Sequence, residues 1–228
     1  IKFIKMKFKT LVIGLGKIGM MYNLTNSKNN YSNHCDIFNN EKNFILSGGV
    51  DIDKKKRKIF SKKFHKPTFS NLKKALSLIK PDIIIISIPT AKFEYIFKEV
   101  YSLNVKPKLF IIEKPGGLNF KKLNFFFKYC KKNKVNLIMN YTRNFSTKLK
   151  NISSVLTKKK IGSLKSIQIF YKKGIFNSCS HYLSFINNFI NLKNYDFIKV
   201  KNIFKKEKDF YGNITISCGI KINLNLVK

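Results

Sequence analysis

Residues 14–19 read Gly-Leu-Gly-Lys-Ile-Gly, a G-x-G-x-x-G spacing whose chemistry is the holding of phosphate. Gly14 permits a tight turn, Gly16 lets an anion approach the backbone, and Gly19 lets a following helix pack close to the preceding strand. Lys17 and Ile18 ride on the turn, where the N–H groups and positive dipole end of a helix start would face a pyrophosphate. The second chemical group is Asp51, at the end of the next apolar run, Phe44–Val50. A carboxylate in that place accepts from the ribose hydroxyls of a dinucleotide. The usual gap is about 20 residues, whereas Asp51 lies 35 after Gly16, a polar Asn-rich stretch making up the excess. Asp53 is the alternative ribose acid, and Asp51 also suits the N-cap of a helix beginning at Lys54. A carboxylate repels a 2′-phosphate, which favours NAD; the basic run Lys54–Lys58 keeps NADP open.

These groups need a strand–turn–helix to hold them. Leu11-Val12-Ile13 enters the glycine turn, and Ile18, Met21 and Tyr22 follow at helical spacing. Asn23–Asn43 reads as a long loop with a short helix near Cys35–Phe38; its His34 reads as solvated, or as a group facing a cleft. Further along are a short strand at Pro67–Phe69, a helix at Asn71–Ile79 capped by Ser70 or Asn71, and a continuous apolar strand at Asp82–Ile88. Helix Ala91–Ser102, strand Lys108–Ile112, helix Asn119–Lys132 and strand Val135–Asn140 continue the alternation. Such alternation predicts a doubly wound parallel sheet, a Rossmann domain over 1–140, with ligands at the carboxyl ends of its strands. After Asn140 come a helix at Asn144–Lys159, a strand at Ser163–Tyr171, a loop reaching His181, a helix at Tyr182–Ile190, and strands at Phe197–Phe204 and Ile214–Val227. This predicts an α+β domain over 141–228 with a mostly antiparallel open sheet. That sheet lacks a closing element, and the start before Met6 is unusual, so we expect a C-terminally truncated chain.

Composition removes several classes. No apolar run approaches the ~20 residues of a membrane span, and no signal peptide is visible, which predicts a cytoplasmic protein without a membrane partner. Cys35, Cys130, Cys179 and Cys218 are scattered without a C-x-x-C, which predicts reduced thiols and no metal site. The net charge of +35 invites a nucleic-acid reading. Against it, Lys and Arg together number 46, yet only Arg57 and Arg143 are the fork-shaped arginines that read bases and phosphates. The lysines are spread along the whole chain. With abundant Asn, Ile, Phe and Tyr and no Trp, they follow from A/T-rich coding DNA, so no specific nucleic-acid partner is expected.

The motifs together resemble the glucose–fructose oxidoreductase / inositol dehydrogenase (Gfo/Idh/MocA) family. They are GLGKIG at 14–19, GGVD at 48–51, SIPT at 87–90, EKP at 113–115, NYTRNF at 140–145 and Ser180-His181. The resemblance implies NAD(P)-linked oxidation or reduction of a sugar, nucleotide sugar or cyclitol, with a homo-oligomer formed through the second domain's sheet. It implies that Pro89, Thr90 and Glu113 lie along the nicotinamide half of the cofactor. It also implies that Lys114 bonds the reacting oxygen and that His181 is the general base, with Arg143 and Asn177 as substrate contacts. An ammonium there would polarise a carbonyl, and an imidazole exchanges protons near neutral pH. The Lys114–Pro115 bond is a candidate for cis. The chain departs from the family pattern at Asn177 and Ser184, where carboxylates are common, and at Phe93, where a histidine is common. Asn cannot exchange a proton, so a dinucleotide-binding relative without turnover is the alternative, and a basic nucleic-acid binder the remote one.

Overall fold

The computed structural model describes residues 7–22, 33–157, 162–190, 197–201, 212–216 and 219–227. The chain divides into two compact units, Ile1–Asn140 and Tyr141–Lys228. The first unit runs β1 (Phe8–Ile13), α1 (His34–Asn40), β2 (Phe44–Val50), α2 (Lys54–Phe64), β3 (Thr68–Phe69), α3 (Leu72–Ile79), β4 (Ile83–Ile86), α4 (Phe93–Ser102), β5 (Leu109–Glu113), α5 (Phe120–Lys132) and β6 (Asn136–Asn140). The strands lie in the order β3-β2-β1-β4-β5-β6, and every neighbouring pair is parallel.

Period-two alternation divides the strand residues between two cores. Leu11, Ile13, Ile84, Ile86, Phe110 and Ile112 pack with apolar residues of α3, α4 and α5, including Ala75, Phe97 and Phe126. Val12, Ile83 and Ile85 pack with Cys35 and Phe38 of α1 and Phe60 and Phe64 of α2. Helices therefore cover both faces, which is why β4 tolerates four consecutive isoleucines. The order of connection reverses between β1 and β4, so the carboxyl ends of these two strands flank the switch point at which open α/β sheets bind ligands.

Three asparagines among the described residues act as helix N-caps. Asn33 accepts from Asp36 N–H, Asn71 from Lys74 N–H, and Asn119 from Lys122 N–H. For α2 the cap is Asp53, which accepts from Lys55 and Lys56, and Asp51 stands outside the helix. The first helix expected after the glycine turn is a single wide turn, Lys17–Met21, in which Met21 N–H and Tyr22 N–H each reach back five residues, to Gly16 and Lys17. The expected loop at 23–32 lies outside the described residues.

The second unit contains α6 (Thr147–Thr157), β7 (Ser166–Tyr171), α7 (Ser180–Ile190), β8 (Phe197–Lys201), β9 (Gly212–Ile216) and β10 (Lys221–Leu226). Its sheet has the order β7-β10-β9-β8; β7 and β10 are parallel and the other two pairs antiparallel. Ile169, Tyr171, Ile222 and Leu224 of the sheet bury against Ile186 and Ile190 of α7. Two expectations are corrected. The stretch 214–227 is not one strand: β9 and β10 pair antiparallel, and Gly219 sits between them at φ +81°. His181 does not end a loop but is the second residue of α7, after a wide turn at Ile175–Cys179. Residues 202–204 and Cys218 lie outside the described residues.

Candidate functional site

The glycine turn follows directly from β1. Gly14 has φ +92°, which residues with a side chain rarely adopt, and a Cβ there would run into the carbonyl oxygen of Ser87. A Cβ at Gly19 would run into the carbonyl oxygen of Gly14, so the turn closes only because position 19 is bare. Gly16 is different: a Cβ there meets nothing within 4 Å, and the space over its backbone is open. Ser87, at the end of β4, donates its hydroxyl to Gly14 O at 2.8 Å and ties the two sides of the switch point together. Pro89 and Thr90 continue from it into a short turn at Thr90–Lys92 that leads into α4.

Asp51 closes the other flank. Its Oδ2 accepts from Leu15 N–H at 2.8 Å and its Oδ1 from Asp53 N–H at 2.9 Å; the side chain is 9% exposed. The carboxylate thus pins the glycine turn to the end of β2. Arg57 donates to the carbonyls of Asp51 and Ile52 and holds the same corner from α2. Lys56 Nζ stands 3.9 Å from both Asp51 and Asp53, so a cation already sits beside the acid that faces a ribose in the expected arrangement.

At the carboxyl end of β5 lie Glu113 and Lys114. Lys114 is half-buried, and its bond to Pro115 is cis. The chain then turns through Gly116, where φ is +81° and a Cβ would press on Met139 and Leu123. Glu113 Oε1 receives the Asn140 amide at 2.7 Å and His34 Nε2 at 2.8 Å. His34 is therefore not the solvated loop residue expected: it is 7% exposed, opens α1, and meets a carboxylate 79 positions away. Phe93 is fully buried against Phe97 and leaves no titratable group at its position.

In the second unit the expected residues gather around the start of α7. The Tyr141 ring meets His181 edge-on with centroids 5.6 Å apart, and the Arg143 guanidinium lies 4.7 Å over the Tyr182 ring. Burial pushes the Tyr141 hydroxyl above the usual phenol range, and a bond with Ser180 pulls it partly back. Asn144 donates its amide to Ser184 Oγ at 2.8 Å, so the serine standing where a carboxylate is common fastens the Thr142–Phe145 turn to α7. Asn177 is exposed on the wide turn before α7. Among the described residues no group of three or more His, Cys, Asp or Glu side chains could hold a metal ion, and no helix is long and apolar enough to cross a membrane.

Residues 8–141 match the model of the Gfo/Idh/MocA family, described as an oxidoreductase family with an NAD-binding Rossmann fold. The chain belongs to this family. No curated protein matches it. Among solved structures it is similar to myo-inositol 2-dehydrogenase from Lactobacillus plantarum, with a TM-score of 0.77 at 14% identity over 96% of this chain and 70% of the other. It is similar to scyllo-inositol dehydrogenase from Lactobacillus casei, solved with NAD(H) and scyllo-inositol, with a TM-score of 0.74 at 12% identity over 96% of this chain and 70% of the other. It is also similar to the WlbA dehydrogenase of Chromobacterium violaceum, solved with NADH and UDP-GlcNAcA, with a TM-score of 0.75 at 15% identity over 96% of this chain and 67% of the other. At these identities the likeness is one of fold. The switch point fits the family's cofactor: the open backbone over Gly16 leaves room for a pyrophosphate, and a bare Gly19 keeps the turn tight beneath it.

Proposed function

We propose that the chain is an NAD-dependent oxidoreductase acting between a secondary alcohol and a ketone of a sugar, nucleotide sugar or cyclitol. The observation that carries the reading is Lys114, half-buried at the carboxyl end of β5 in a family-matched Rossmann unit, whereas most of the described lysines are exposed. NAD, when bound, takes or supplies the hydride. Gly14, Gly16, Lys17, Ile18, Gly19 and Asp51 hold the dinucleotide, Asp51 partly by fixing the turn; Pro89, Thr90 and Glu113 line its nicotinamide half. The Lys114 ammonium bonds the substrate oxygen and stabilises negative charge developing on it. His181 accepts or returns the hydroxyl proton, and Arg143 and Asn177 contact the remainder of the substrate. Residues 141–228 serve as the substrate-binding part, with a homo-oligomer through the β7–β10–β9–β8 sheet and a cytoplasmic location completing the reading. NADP remains open through Lys54–Lys58.

A second reading has a specific observation behind it. Ser184 accepts the Asn144 amide where the family pattern has a carboxylate, and an alcohol does not take up and return a proton as a carboxylate does, which favours a relative that binds the dinucleotide without turnover. The test begins with NADH fluorescence on adding protein, followed by NAD turnover with scyllo-inositol, myo-inositol and UDP-sugars. Lys114→Met is expected to keep NADH binding and lose turnover on the order of 10²–10³-fold. Binding with no turnover of any substrate would favour the second reading; no NADH binding would end both.

A further inference from the structure

We propose that His34 is a positioning residue for Lys114, acting through Glu113; the proposal rests on the reading of Lys114 given above. Glu113 is the residue immediately before Lys114, and its side chain is only 14% exposed. A carboxyl group so enclosed needs partners, and it has two donors from different elements. Asn140 reaches it because Glu113 and Asn140 are register partners across β5 and β6. The other donor is His34 Nε2; a carboxylate oxygen accepts only, so this nitrogen carries the hydrogen.

His34 is itself held. Asn33 beside it caps α1 through Asp36 N–H at 2.9 Å and donates its amide to Tyr22 O at 2.8 Å. Cys35 and Phe38 anchor the same helix in the core that β1, β4 and α2 share. The imidazole therefore stands on a fixed support and clamps the end of β5 from one side while Asn140 clamps it from the other. With both clamps in place the backbone leaving Glu113 has one direction, and Lys114 leaves the sheet from a fixed point. Without the imidazole, Glu113 is half-partnered and the turn Lys114–Gly117 loses its anchor on the α1 side.

The test compares full-length wild type with His34→Leu, which removes the donor, and His34→Gln, whose amide N–H can replace it. Two readouts are taken on folded protein: amide hydrogen exchange in the peptide spanning 111–117, and the rate at which acetic anhydride labels Lys114, read by peptide mass spectrometry. His34→Leu is expected to speed exchange in that peptide by about tenfold and to raise Lys114 labelling toward the rate of exposed lysines, with β1 and β4 unchanged. His34→Gln is expected to restore both. Wild-type values in His34→Leu, or a His34→Gln variant as loose as His34→Leu, would overturn the proposal. Should His34→Leu fail to fold, His34→Phe, which keeps the volume of the ring and removes its N–H, is read in the same way; unchanged values there overturn it equally. An NADH titration of the wild type runs alongside: failure to bind NADH would sink the oxidoreductase reading while leaving the exchange result to judge the clamp.

Discussion

A methyl group added to Gly16 and one added to Gly14 meet different surroundings, and the two substitutions separate binding from folding. Gly16→Ala fills open space, so its melting temperature is expected to stay near that of the wild type while NADH affinity falls. Gly14→Ala must hold φ +92° and displace Ser87, so it is expected to lose about 1–3 kcal/mol or more of stability, read by urea unfolding. The thiols provide another residue-level check. Burial pushes Cys130 and Cys179 each up to about 11 and raises Cys35 further, with Asp36 adding to the shift. These three cysteines are expected to ignore Ellman's reagent at pH 8 until the chain is unfolded, because the thiolate is the reactive form. Rapid labelling of any of them in native protein would contradict the described packing.

At the level of elements, the caps are individually measurable. Asp53→Ala takes the acceptor from Lys55 and Lys56 at the start of α2 and is expected to cost about 1 kcal/mol, with Asn119→Ala similar at α5. The parallel sheet was legible because its signals are local. Ile83–Ile86 is apolar on both faces, and β2, β3, β4 and β5 are each followed by a helix within a few residues. Elements were misjudged where the deciding partner is distant or the punctuation faint. His34 looked solvated because the carboxylate that claims it arrives with β5. The segment 214–227 keeps a period of two across the break, and Gly219 is its one mark among the described residues. The cap of α2 is Asp53 because it directly precedes Lys54, while Asp51 accepts from Leu15 N–H, a contact that exists only once β1 and β2 pair. Of the site, the glycine turn could be read from spacing alone; the setting of Glu113 and the Asn144–Ser184 bond could not.

For the molecule as a whole, the few acids carry much of the charge pairing. Asp36 pairs with Lys63, Asp82 with Lys108, and Glu94 with Lys122. Asp82 also accepts from Lys9 N–H at 2.9 Å; this bond, then the one from Lys108, holds its carboxyl below the usual 3.8. A depressed folded value means that its contribution is present above the unfolded value and is lost as pH falls through the folded one. Asp82→Asn is therefore expected to be less stable than wild type at neutral pH, with the gap closing in acid, as measured by thermal melts across pH. A net charge of +35 repels itself, so the melting temperature is expected to rise between about 20 mM and 300 mM salt.

The same abundance of lysine has a practical use. Trypsin meets a target every few residues wherever the backbone opens, yet Leu11–Ile13, Ile83–Ile86 and Leu109–Glu113 contain none. A timed digest of the native chain should shave the periphery first and release fragments holding these three stretches last. The order of cutting would then chart which parts of the molecule open and which stay shut.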